Sequence, residues 1–502
     1  MPHLLPFRPV MFAPNGVAGE GAQELPKTSA AADQQSDGSC TDPATLNLTS
    51  FLAPTYDQVN QQVVASLLAR NPFNVVQFDA MHGYRSADAL EDSAGRADDS
   101  EAVARQITTD YAAARRRYDK MRSAGILQMR ERAALYIVRQ TFVTRQRRPH
   151  RRLALLGALP STSVAGDRPQ GVLAHEMSES DTVADRLALL DAMQVQTSPV
   201  FGLYQDPGNA IEDWMRERMI DCEPIAFGVA PDGTLHELWE VTNQAQIEDV
   251  ARRFGDRPVV IADGHNRFNA IAAWARRGNA GDGNAQSSGA AGDAAAADNP
   301  DASVPVMFAL VAEQDPGMSL LPVHRAYSGI RSWSMEAFKL AASDLLRVDR
   351  VEGSLEDLLD QVALARYEGS HAMGIFDFEQ GESWVSTTIN LDPLQVAYPE
   401  TKPVWRQSDQ VLCEHLIHDI ILTQRINRGR RLRCHRTADI GSLAGMGDSG
   451  PDQAQLAVVM MPIALPDVFE FATGGHLLPP NSTHFVPKFT SGLLMLPLGD
   501  SR

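Results

Sequence analysis

A chain of 502 residues has room for two to four domains and a large core. Its 44% hydrophobic and 22% charged content is that of a globular protein, and no apolar run approaches the ~18–20 residues that cross a bilayer. A net charge of −18 opposes a general nucleic-acid role, which rests on neutralising phosphates, and four scattered cysteines without a C-x-x-C pair indicate neither a disulfide framework nor a zinc ribbon. The start MPHLLPFRPVMF lacks the charged, long-apolar and small-residue order of a signal peptide, so the expected location is cytoplasmic.

Residues 14–47, rich in Gly, Ala, Ser, Asp, Gln and Thr, read as a disordered insertion. Asp57 reads as the N-cap of a helix over 58–70, which Asn71-Pro72 stops. A second polar insertion, 85–99, precedes an amphipathic helix over 101–123 that Gly125 ends. Strands follow at 133–142, 152–159 and 171–174, with His175 and Glu176 at the end of the third, just before a helix over 182–193. Ser198-Pro199 opens a strand at 200–204, a helix covers 209–220, and Pro231-Asp232-Gly233 turns a hairpin between 225–229 and 235–241.

The densest stretch is RPVVIADGHNRFNAIAAW, 257–274. Residues 258–262 are a short apolar, β-branched run, as in a buried strand, and Phe268, Ile271, Ala272 and Ala275 recur at i, i+3, i+4 and i+7, as on one helix face. Asp263, Gly264, His265, Asn266 and Arg267 lie between them, where a helix N-terminus presents unpaired N–H groups. Such an end favours an anion by roughly 0.3–1 kcal/mol, and an arginine–phosphate pair adds about 1.5–3 kcal/mol. Gly264 allows close backbone approach, and with Asn266 and Arg267 forms the phosphate side of the candidate site. His265 can donate to a phosphoryl oxygen or exchange a proton, and Asp263 can act as a base or hold Mg²⁺. The structural alternative makes Asp263 an N-cap, His265 a core histidine and Arg267 an ion-pair partner.

Beyond the motif helix, 278–301 reads as a flexible loop, followed by strands at 304–312 and 318–326. Alternation along the second strand lets only one of His324 and Arg325 face the central turn, and phosphate contact is assigned to Arg325. Helices follow over 334–346, 355–368 and 408–422, with a strand at 373–378. Ser482, Thr483 and Lys488 fall in a proline-rich segment that can supply phosphate donors, and a strand at 492–498 closes the chain.

ADGHNRF resembles the ADGHHRY signature of the domain of unknown function 1015 family, also labelled SpoOJ/ParB-related. LAPTYDQVN (52–60), ARNPFNVV (69–76), ALYIVRQTF (134–142), GVLAHE (171–176), ADRLALLDAMQVQTSPVFGLYQDP (184–207), LPVHRAY (321–327) and PPNSTHFVPKFTSGLLMLPL (479–498) look like its other blocks in the same order. Asn266 stands where the family usually has a second histidine, Phe268 where it has tyrosine, and the residues after Glu176 depart from its pattern. The resemblance implies a mixed α+β fold with a ParB/sulfiredoxin-like core around the strand–DGHNR–helix turn, a group that includes free-serine kinases with a similar turn.

The domain division that follows is 1–160, 161–329 for the core and 330–502 for a C-terminal α/β part, or one integrated unit. The function this implies is a nucleotide-dependent phosphotransfer to a small hydroxylated molecule. Asp263, His265 and Glu176 are its catalytic candidates, Gly264, Asn266, Arg267, Arg325 and Lys488 its phosphate contacts, and His175, His324, Ser482 and Thr483 further candidates. ATP or ADP with Mg²⁺ on Asp263 is the expected cofactor, with no haem, flavin or zinc. The expected partners are nucleotide and a small substrate, without membrane or nucleic acid. The alternatives are a nucleotide-gated regulatory protein without chemistry and a metal-dependent hydrolase using His175, His265 and His324. A Walker A sequence and a GxGxxG fingerprint are both absent from the sequence.

Overall fold

A computed structural model describes residues 4–13, 45–79, 100–144, 148–161, 171–280, 303–369, 371–448 and 453–498. Of the expected insertions, 85–99, most of 14–47 and most of 278–301 lie outside these residues. Two ends are corrected: Leu46–Asn47 is a strand, and the motif helix runs through Ala280 rather than stopping before 278. The fold is mixed α+β. Its described residues fall into two compact units, one of 1–172, 178–318 and 487–502, the other of 173–177 and 319–486.

The first unit is built on a nine-stranded mixed sheet. Its order is Leu46–Asn47, Ala226–Val229, Leu235–Val241, Leu135–Val143, Pro149–Pro160, Pro305–Ala312, Val200–Tyr204, Val259–Asp263 and Val172–Leu173. The central strands read as near-continuous apolar runs because both faces are covered: every described residue of Val200–Tyr204 and residues 306–312 are buried. Val259, Ile261, Phe268, Ile271, Phe308 and Leu310 share one core with Trp214 and Phe254. Gly202 is needed at the centre of this sheet, because a Cβ there would sit 2.7 Å from a Val259 methyl.

The second unit holds a six-stranded antiparallel sheet in the order Leu346–Val351, Glu382–Thr388, Ala372–Asp377, Leu456–Val459, His324–Ser328 and Arg433–Thr437. The helix Leu355–Tyr367, started by a Ser354–Asp357 capping box, packs Leu358 and Val362 onto it.

Several local expectations change. The strand expected over 318–326 is two, Ser319–Leu321 and His324–Ser328, because Pro322 interrupts the ladder between them. The helix expected to reach 346 stops at Ala342, and Leu346 opens a strand. The closing strand expected at 492–498 shortens to Leu496–Pro497, with Met495 bridged to Val10, and Gly492 takes a left-handed φ of 91°. Asp57 is not the helix cap: Asn60 accepts from the Val63 N–H instead, and the helix is Gln61–Arg70.

Candidate functional site

The turn after Val259–Asp263 is made by Gly264, whose φ of 95° lies where L side chains are strained. A Cβ at this position would also sit 2.9 Å from Nη2 of Arg267. The glycine therefore lets Arg267 fold back under the turn. There Nη2 donates to Asp263 Oδ2 at 2.7 Å, and Nη1 donates to Ser198 Oγ at 2.6 Å and to the Pro199 carbonyl at 2.7 Å. Arg267 Nε is buried without a hydrogen-bond partner. The ion pair of the structural alternative is thus present, and it fixes the guanidinium rather than leaving it mobile. His265 is 5% exposed at the helix start, and Asn266 Oδ1 accepts from the Glu179 N–H at 3.3 Å.

The other oxygen of Asp263 takes Lys488. The ammonium lies 2.7 Å from Asp263 Oδ1 and is hydrogen-bonded to Asp57 Oδ2 as well, with the side chain 9% exposed. Burial alone pulls an ammonium pKa down; Asp263 and Asp57 together reverse this and leave Lys488 above its ordinary value. The backbone under Lys488 is fixed from the sheet. Gln140 Nε2 donates to the Lys488 carbonyl at 3.1 Å, and the buried Arg152 donates to the Pro487 carbonyl and, through Nε at 2.9 Å, to Gln140 Oε1.

Beside Asp57, Tyr56 lies under a second buried arginine: the Arg186 guanidinium carbon is 4.2 Å from the ring centroid. Burial, then the neighbouring Asp57, raises the phenol's pKa. Burial lowers that of Arg186, partly opposed by Asp79, while Arg267 pushes it further down. Asp79 in turn accepts from Ser491 Oγ at 2.6 Å.

The residues singled out in the sequence therefore fall into two sets. Asp263, Gly264, His265, Asn266, Arg267 and Lys488 belong to the first unit. His175, Glu176, Ser482, Thr483, His324 and Arg325 belong to the second. In the second, His175 Nε2 and Thr483 Oγ1 are 2.8 Å apart, and Glu176 Oε2 accepts from the Ser482 N–H at 2.9 Å and from the Thr483 hydroxyl at 3.4 Å. The Ser482 hydroxyl donates to the Pro479 carbonyl at 2.6 Å. His324 Nδ1 accepts from the Met460 N–H at 3.2 Å, which makes it a bonded core histidine. Arg325 is fully buried and donates to the Asn481 carbonyl at 3.0 Å, with Nε and Nη2 unpartnered.

Sequence reasoning passed over Asp57, Arg186 and Asp79 as site residues. Arg186 carried a signal: with Val183, Leu187 and Leu190 it stands at i+3 on the apolar stripe of Ser180–Met193, where a charge must be buried. Asp57 carried none beyond its place in the LAPTYDQVN block.

Comparison with solved structures returns weak likenesses. A free serine kinase in complex with AMP is 10% identical, covering 63% of this chain and 83% of its own, with a TM-score of 0.31. SbnI with a C-terminal truncation, from Staphylococcus aureus, is 10% identical over 68% and 87%, at 0.32. A conserved hypothetical protein from Pyrococcus furiosus is 12% identical over 63% and 87%, at 0.29. No curated protein matches the sequence. The sequence does match, over residues 39–410, a family described as a protein of unknown function, and the chain belongs to that family, DUF1015.

Proposed function

We propose that the first unit binds a nucleoside triphosphate at the Asp263–Arg267 turn and passes its terminal phosphoryl group to a small hydroxylated molecule. The observation that carries this reading is Lys488, an ammonium buried between Asp57 and Asp263 at the start of a helix. A lysine is desolvated at considerable cost; with Arg267 also on Asp263, two cations meet two carboxylates and the cluster is neutral. The phosphates of a nucleotide would therefore bring their own neutralising cation. Asp263 is the residue that would hold magnesium, which would supply neutralisation of phosphate charge, and Asp57, 37% exposed, is left for proton transfer.

The roles of the chain's own groups follow from their partners. Asp263 has a cation on each oxygen, which makes it a poor base and a rigid anchor. Asp57, bonded on one oxygen to Lys488, accepts the proton of the attacking hydroxyl. The deprotonated hydroxyl oxygen of the acceptor bonds to the terminal phosphorus as the bond to the bridging oxygen breaks, and the nucleoside diphosphate leaves. Lys488 and the helix N–H groups face the developing charge. The residues of the second unit are assigned no step.

Thermal unfolding of the full chain with ATP, ADP, CTP and GTP, with and without Mg²⁺, tests the reading. At one hundred times its dissociation constant a ligand stabilises by about 2.7 kcal/mol. The expected result is a shift that Lys488→Met abolishes, with nucleoside diphosphate released when a hydroxylated acceptor is added. No shift with any nucleotide removes the reading. A shift without turnover leaves a nucleotide-gated binding protein.

A further inference from the structure

Behind the turn, within the first unit, lies a cavity of about 40 Å³ bordered by both arginines, Arg186 and Arg267, and by Asp79 and Ser198. That space admits a few waters or a small ligand. The opposite wall is apolar, formed by Leu189, Val195, Ala270 and Ile271.

Of the two cations, Arg186 is the less well served. Every hydrogen bond of Arg186 is long: 3.2 and 3.4 Å to Asp79, and 3.4 Å twice to Asp185. These lie at or beyond the ordinary 2.7–3.2 Å range, although the side chain is only 4% exposed. Arg267 already gives Nη1 and Nη2 to Ser198, Pro199 and Asp263, and its Nε is buried against Gly264, so it offers the cavity its charge rather than a free N–H. The Ser198 hydroxyl, which accepts from Arg267, keeps its own proton to give. Asp79 disfavours a doubly charged anion such as phosphate, and the apolar wall favours a ligand with carbon.

We infer that this cavity binds a short hydroxycarboxylate, its carboxylate between Arg186 and Arg267 and its carbons against Ala270 and Ile271. The inference goes beyond the phosphotransfer reading and does not rest on it: the cavity is lined by none of Asp57, Asp263 and Lys488, so it is a second ligand site beside the turn. Glycolate, with two carbons and one hydroxyl, has the size and charge required.

Isothermal titration of the full chain with sodium glycolate at fixed ionic strength, without nucleotide, tests it. Saturable millimolar binding is expected, with none for ethylene glycol or inorganic phosphate. Ala270→Val fills the cavity without changing charge, and Arg186→Met removes one cation; each should weaken glycolate at least tenfold. If Arg186→Met does not fold, Ala270→Val decides alone. Lys488→Met should keep glycolate binding while losing the nucleotide shift, so that failure of the phosphate site and failure of the cavity are told apart. Absence of glycolate binding, binding unchanged in Ala270→Val, or equal binding of phosphate overturns the inference.

Discussion

At the scale of single residues, His236 shows what the interior costs. It is fully buried on Leu235–Val241, and neither ring nitrogen has a hydrogen-bond partner. Burial, reinforced by the nearby Arg152, pulls its pKa from 6.5 down to about 3. The folded chain therefore holds a neutral imidazole while the unfolded chain takes up a proton below pH 6.5. Stability is full above that pH and falls as pH drops from 6.5 toward 3. At pH 5 the loss is about 2 kcal/mol, at about 1.4 kcal/mol per pH unit. Urea unfolding at pH 5 and pH 8 should show this difference shrinking in His236→Leu. An identical pH difference in the two proteins would locate the acid sensitivity elsewhere.

At the scale of elements, the strand–glycine–helix turn couples backbone strain to a side chain. Gly264→Ala forces a left-handed φ on an L residue, at about 1–3 kcal/mol, and drives its Cβ into the Arg267 guanidinium. The variant should fold with a lower urea midpoint and lose the nucleotide-dependent thermal shift. A retained shift would show that Arg267 can be displaced without consequence. This element was legible in advance because its signals are local: a β-branched run, a glycine, then apolar residues at helical spacing. The hairpin around Pro231-Asp232-Gly233 was legible for the same reason. The helix Gln244–Phe254 was passed over, although Asn243 caps it and Ile247, Val250 and Phe254 recur at i, i+3 and i+7. What no local reading could supply is Lys488 on Asp57. The two residues are 431 apart, and Asp57 has the ordinary credentials of a helix cap. Arg186 is intermediate, because its position in the sequence announces burial but not its partners.

At the scale of the molecule, the first unit is discontinuous. Its last segment, 487–502, returns after the chain has built 319–486 in the second. That segment delivers Lys488 to Asp57 and Asp263, and Leu496–Pro497 pairs with Val195–Gln196. It also buries Phe489, Leu493, Leu494, Met495, Leu496 and Leu498. Six such side chains at about 1.5–3 kcal/mol each come to roughly 9–18 kcal/mol, which is as large as the whole stability of a typical domain, about 5–15 kcal/mol. A chain ending at Val486 should therefore lose the cooperative unfolding of the first unit, not only its ligand site. Lys488→Met in the full chain removes the ammonium and keeps the six apolar anchors, so it should unfold cooperatively while failing to bind nucleotide. Comparing the two by circular dichroism during urea unfolding separates closure of the fold from chemistry of the site. If the truncated chain unfolds as cooperatively as the full one, the returning segment is an appendage and the core of the first unit closes without its six apolar anchors.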